Sequence, residues 1–209
     1  MANTNAPFGL RLLGRQNDAT PSFGLGADPL KIAQDNAAVA AKGDLMLRLA
    51  TGYVTPAVAI VPDTATGNSS VVGVFWGCQY LSIAQGKRVV SPFWPGGADT
   101  VVDADCQIIP MRGYPNARFV IQATLDPFVF EDIGENCNIG YAAPTIYGSW
   151  AKSGVTLDKA TIGTSVNLPF RIVGLWSQYA APGQPGTDNT SNYNWVVVEF
   201  NGMSETGNA

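Results

Sequence analysis

Apolar residues in this chain fall into short runs, and Gly, Pro, Asn or Asp cuts each run before it reaches three helical turns. PLKIA (29–33), DLMLRLA (44–50) and YVTPAVAIVP (53–62) are apolar or alternating and end in turn formers, which predicts strands. VVGVFWGCQYL (71–81) and KRVVSPFW (87–94) flank the short link SIAQG, so they read as a β-hairpin closed by PGG at 95–97. Further strands are expected at 101–111, 117–124, 128–133, 165–176 and 192–200. Segment 134–163 is weakly patterned, with short strands expected near Cys137–Ile139 and Val155–Leu157. DNAAVAAK (35–42) has room for one helical turn and no more. Many short strands and no long helix predict a mainly β fold, an antiparallel β-barrel or β-sandwich. Its core is expected to hold Val74, Phe75, Val120, Phe170, Ile172, Val173, Val196 and Val198, with Val197 pointing to the opposite face.

The ends read differently. Residues 1–28 hold no period of 2 or 3.6, yet Phe8, Leu10, Leu12, Leu13, Phe23 and Leu25 are too apolar for a free tail. An extended N-terminal arm lying on a neighbouring subunit accounts for both features, and packing back on its own domain is the alternative. The expected organisation is therefore an arm at 1–28, a β-rich domain at 29–202 and a flexible tail at 203–209. The loop at 180–191 is expected to be mobile.

Composition narrows the chemistry. The 209 residues include no histidine, which excludes Ser-His-Asp and Cys-His catalysis and His-ligated zinc or haem. Twelve Lys and Arg against sixteen Asp and Glu give a net charge of −4, a poor basis for binding a polyanion, and no nucleic-acid partner is expected. Charged residues make up 13% while hydrophobic residues make up 46%, so much of the surface is expected to be covered by partners. No apolar run is long enough to span a bilayer and no signal peptide is expected, so no membrane partner is either. The spacing of Cys78, Cys106 and Cys137 matches no metal or redox motif, and all three are expected to be reduced and metal-free.

Two carboxylate groupings and the aromatics are the remaining candidates for chemistry. Asp103 and Asp105 share a strand face near Asp99, but the stretch lacks the turn Gly and terminal Glu of a strong calcium loop. Glu131, Asp132 and Glu135 could act as acid and base on a glycoside, or form a charged turn around Gly134, the simpler reading. Five Trp and seven Tyr could form a sugar-stacking platform, although most sit in expected strands where core or interface packing explains them. No enzyme activity, metal or cofactor is expected.

Several stretches carry a resemblance: the opening MANTNAPFGLRLLGR, GDLMLRLATGYVTPA (43–57), GVFWGCQYLSIAQGKRVVSPFWPGG (73–97), and RFVIQATLDPFVFEDIGENCNI with the later GVTLDKATIGTSVNLPFRIVGLW. Together they span nearly the whole chain, and they resemble the capsid cement or decoration proteins of tailed bacteriophages. The resemblance implies a virion structural protein, made in the host cytoplasm, that sits on the outer head surface and bridges major capsid protein subunits. It implies no catalytic residue, and a homo-oligomer with a trimer favoured over a dimer. The arm residues Phe8, Leu10, Leu12, Leu13, Phe23 and Leu25 are then the candidates for capsid contact. Rival readings are another virion component, such as a tail or shell protein, a carbohydrate-binding module, and a carboxylate hydrolase.

Overall fold

The apolar runs form strands, and antiparallel pairing gathers most of them into two six-stranded sheets. The computed structural model of the chain describes residues 3–15, 30–57, 71–110, 117–176, 188 and 190–201. Strands are numbered β1 to β16 in chain order. The first sheet runs β1 (Arg11–Arg15), β10 (Ala117–Gln122), β16 (Trp195–Phe200), β15 (Phe170–Trp176), β11 (Asn136–Gly140) and β14 (Thr156–Gly163). The second runs β2 (Leu30–Ile32), β9 (Ala104–Pro110), β6 (Val71–Ser82), β4 (Leu45–Arg48) and β5 (Val54–Pro56). Its sixth strand, β7 (Lys87–Ser91), pairs with the far end of β6. Two small ribbons complete the fold, β3 (Ala40–Ala41) with β8 (Phe93–Trp94) and β12 (Thr145–Tyr147) with β13 (Trp150–Lys152). A single bridge from Ala123 to Leu157 links the end of β10 to β14, but neither sheet closes into a barrel, and the architecture is sandwich-like.

The main core lies between the sheets. Phe119, Ile121, Phe170, Ile172, Val196 and Val198 of the first sheet meet Leu45, Val71, Val74 and Ile109 of the second. A second core covers the opposite face of the second sheet, where Ile32, Met46, Phe75, Cys78, Tyr80 and Trp94 pack together. Adjacent residues therefore serve different cores, Leu45 with Met46 and Val74 with Phe75, because successive strand side chains point to opposite faces.

Seven of the eight expected core residues are buried. Val173 is half-buried instead. The register of β15 against β16 shifts between Ile172 and Gly174, leaving Val173 as the extra residue of a bulge and moving the inward parity to Leu175. Val197 is half-buried on the outer face. Segment 128–133 is not the expected strand. Asp132 accepts the Val129 N–H, and Phe130–Asp132 winds into a 3₁₀ turn ended by Gly134. The strand expected from 165 begins at Phe170, because the Ser165 hydroxyl and carbonyl accept the Asn167 and Leu168 N–H groups and hold a turn. The helical turn allowed at 35–42 is absent. The Asn36 side chain accepts the Ala38 N–H, an Asx turn that competes with helix.

The arm expected at 1–28 divides. Residues 3–15 belong to the sandwich, with β1 on the edge of the first sheet, and residues 16–29 lie outside the described residues. The tail at 203–209 and most of the loop at 180–191 lie outside them as well.

Candidate functional surface

The acidic residues do not converge. Asp99 caps the β6–β7 hairpin, its carboxylate accepting the Ser82 hydroxyl and the Ala84 N–H. These bonds hold its carboxyl below the usual range. Asp103 accepts the Gln34 N–H and the Tyr53 hydroxyl, and Asp105 pairs with Lys31. Asp132 pairs with Lys159, Glu131 is exposed and Glu135 half-buried, all around the Gly134 turn. Each charge that has a partner serves a turn or a strand edge. Among the described residues, no group of three or more His, Cys, Asp or Glu side chains could hold a metal ion.

The N-terminal residues singled out for capsid contact are split by the first sheet. Leu10 is buried in the main core and Leu12 packs against it. Phe8 is buried on the outer side, where it meets Trp195 edge-on at 4.9 Å beneath the Arg11 guanidinium. Leu13 is exposed. Phe23 and Leu25 lie outside the described residues. The segment before Phe8 is tied down by Gln122, whose amide accepts the Ala6 N–H and donates to the carbonyls of Thr4 and Tyr193. Leu13 alone of the described candidates presents a large apolar side chain outward.

Trp76, Trp94, Trp176 and Trp195 are buried or half-buried. Trp94 is fully enclosed and donates to the Asn36 carbonyl, while the Lys42 ammonium lies 3.2 Å from the centre of the Trp76 ring. Trp150 differs. It lies opposite Tyr147 across the two-residue turn Gly148–Ser149, and Gly148, at φ +62°, takes the first central position of a type II′ turn. The two rings stack at 4.4 Å and 16°. Ile146, Tyr147 and Trp150 are 50%, 49% and 48% exposed, which places an apolar, aromatic hairpin on the surface.

A two-stranded ribbon has little stability of its own, so its root matters. Directly after β13, Ser153 is buried and donates its hydroxyl to the carboxylate of Asp44, which is also fully buried and accepts the Ala41 N–H at 2.7 Å. The same Ser153 oxygen accepts the Val155 N–H. Burial pushes the Asp44 carboxyl up to about 6, against the pull of these two hydrogen bonds. Gly9 closes the root. At φ +71°, its position for a Cβ lies 2.5 Å from Ser153 Oγ and 2.6 Å from the Gly43 carbonyl oxygen, so no side chain fits. The hairpin thus springs from a joint of the N-terminal segment, the turn before β4 and Ser153.

Sequence reasoning missed both the hairpin and its root. The hairpin's signal is the Gly-Ser pair between β-forming residues. The root has no signal, because Asp44 and Ser153 are distant in the chain. Two further groups of exposed apolar side chains flank other turns, Ile83 with Val101 and Val102, and Leu125 with Val129 and Phe130. No helix among the described residues is long and apolar enough to cross a membrane. Compared with known protein families, curated proteins and solved structures, the chain matches none.

Proposed function

We propose that this chain is a capsid decoration protein of a tailed bacteriophage. In this reading it stands on the outer surface of the head and bridges major capsid protein subunits as a homo-oligomer, a trimer before a dimer. The observation that carries the reading is the rooted aromatic hairpin, in a chain whose charged residues make up only 13%. Tyr and Trp side chains held in one conformation are efficient interface anchors, since little freedom is lost when they are covered. The resemblance of the sequence to cement proteins supplies the partner. A protein that binds only the assembled shell stabilises it by mass action, and an oligomer that touches several subunits gains through effective concentration.

The hairpin leads over Phe8 and Leu10 as a contact element, because those two are enclosed by their own chain, and the exposed Leu13 stays a candidate as well. Titrating purified protein onto undecorated heads tests this. Full-length protein is expected to reach saturating occupancy and raise the melting temperature of the heads. The Tyr147→Ala, Trp150→Ala double variant is expected to stay folded and lose at least tenfold in affinity. A full-length protein that neither binds heads nor shifts their melting would refute the role.

The parallel Tyr147–Trp150 pair favours one other reading, a carbohydrate-binding module, since an exposed flat ring is a stacking surface for a sugar. Saturable binding to a glycan array, lost on Trp150→Ala, would establish that reading in place of the first.

A further inference from the structure

One cross-strand row of the second sheet runs Leu30, Cys106, Cys78, Ser91 through β2, β9, β6 and β7. Cys106 and Cys78 are direct antiparallel partners, so their side chains leave the sheet on the same face. Both are buried in the second core beside Phe75, Tyr80 and Trp94. Opposed residues of an antiparallel pair have Cα atoms about 4.5 or 5.5 Å apart, and disulfides span Cα separations of about 4.4–6.8 Å. The backbone is already placed for a bridge. As free thiols the two bond to backbone carbonyls, Cys78 Sγ to Phe93 at 3.4 Å and Cys106 Sγ to Gln107 at 3.9 Å. Cys137 lies in the main core opposite Phe170, in a cluster with no second cysteine.

We propose that Cys78 and Cys106 are an oxidation site that closes into a cross-strand disulfide by exchange with a low-molecular-weight disulfide. In the first step one cysteine thiolate attacks the external disulfide, forming a mixed disulfide and expelling one small thiolate, which takes up the proton. The second cysteine then attacks the protein sulfur of that mixed disulfide, closing the bridge and releasing the second small thiol. The protein dithiol loses two electrons and two protons, and the external disulfide gains both.

Burial pushes the Cys78 thiol up to about 12 and raises Cys106 likewise, so thiolate is scarce while the fold is closed. Exchange proceeds when β2 frays, because among the described residues this three-residue edge strand is the one strand that flanks Cys106 on the side of β9 away from β6. The pair therefore stays reduced in a reducing cytoplasm and closes slowly in an oxidising medium. That timing rests on the proposed virion role, whereas the bridge itself does not.

The test is prolonged incubation of purified full-length protein with oxidised glutathione, followed by intact mass without reductant, a non-reduced peptide map and thermal melting. The expected result is loss of two hydrogens, a linked peptide pair holding Cys78 and Cys106, and Cys137 still alkylatable after unfolding. Melting should rise by about 5–10 °C and return to its starting value with dithiothreitol. Cys106→Ala should remove both the link and the shift. Glutathione adducts without a bridge, a bridge that includes Cys137, or an unchanged mass even in urea low enough to keep the fold but loosen β2 would overturn the proposal. Head occupancy, measured on reduced protein, reads the proposed function separately, so the two ideas can fail independently.

Discussion

The two sheets are built from similar numbers of strands but are buried differently. The second sheet has an apolar core on each face, and its strands are correspondingly unalternating, as in Leu45–Met46, Val74–Phe75 and Ile108–Ile109. The first sheet has its core on one face, and its other face is covered only in part, at Val120, Gln122 and Phe8. β15 and β16 alternate, with Phe170 and Ile172 inward and Arg171 exposed between them, whereas β10 is buried along most of its length. On its outer face Arg118, Glu199 and Arg171 stand in cross-strand register over three neighbouring strands. A sheet buried on both faces is a frame, whose central strand β6 is constrained by packing along nearly its whole length. A sheet with its core on one face leaves another on which polar residues and the N-terminal segment can lie.

The comparison breaks first in the cores. Phe170→Ala in the main core and Phe75→Ala in the second should each cost about 3–5 kcal/mol in urea unfolding, if both cores melt in one transition. A separate early transition in Phe75→Ala alone would show that the second core is an independent unit. A loss below about 1 kcal/mol in either would remove that residue from the cores.

The next effect is electrostatic and belongs to the joint between the second sheet and the hairpin. Burial raises the Asp44 carboxyl from 3.8 to about 6. Between those values the folded protein holds a proton that the unfolded chain has released, so stability falls as pH rises through the window. The drop is about 3 kcal/mol at full extent and is complete above pH 6. Denaturant melts from pH 3.5 to 7 should show it, and Asp44→Asn should flatten the curve. An Asp44→Asn profile that keeps the wild-type slope would assign the titration to another group.

Smaller effects compare the two faces of the first sheet. Val198→Thr buries a hydroxyl in the main core and should cost about 1–3 kcal/mol, whereas Val197→Thr on the outer face should cost less than about 1 kcal/mol. Equal losses would mean that the outer face is as closed as the inner one. Smallest of all, Trp150→Ala should change folding stability by no more than about 0.5 kcal/mol, since the ring is half-exposed and stacked on a neighbour within its own hairpin.

Much of the fold was legible because burial leaves a period. The β6–β7 hairpin, β10, β16 and most of the core follow from apolar runs, continuous or alternating, cut by turn formers. The departures arise where one local interaction outweighs the pattern. Val173 is displaced by a bulge, the 128–133 strand by the Asp132 carboxylate and the 35–42 turn by the Asn36 side chain. The candidate surface was less legible. Tyr147 and Trp150 sit around a turn pair that a sequence can carry, but Asp44, Ser153 and Gly9 meet only in three dimensions. The apolar N-terminal residues announced burial without saying by which chain.

The strand order of the first sheet also governs how the chain is made. Its interior strand β16 is the last of the described strands to leave the ribosome, and it must slot between β10 and β15. Until then those two strands have no shared partner, and Asn3 waits for Asp188 and Ser191, its bonding partners more than 180 residues later. Folding of this half therefore waits for β16 and is slowed by closure over more than 180 residues. A product that stops short of residue 195 would present two unpaired strand edges flanking an apolar core, a template for aggregation.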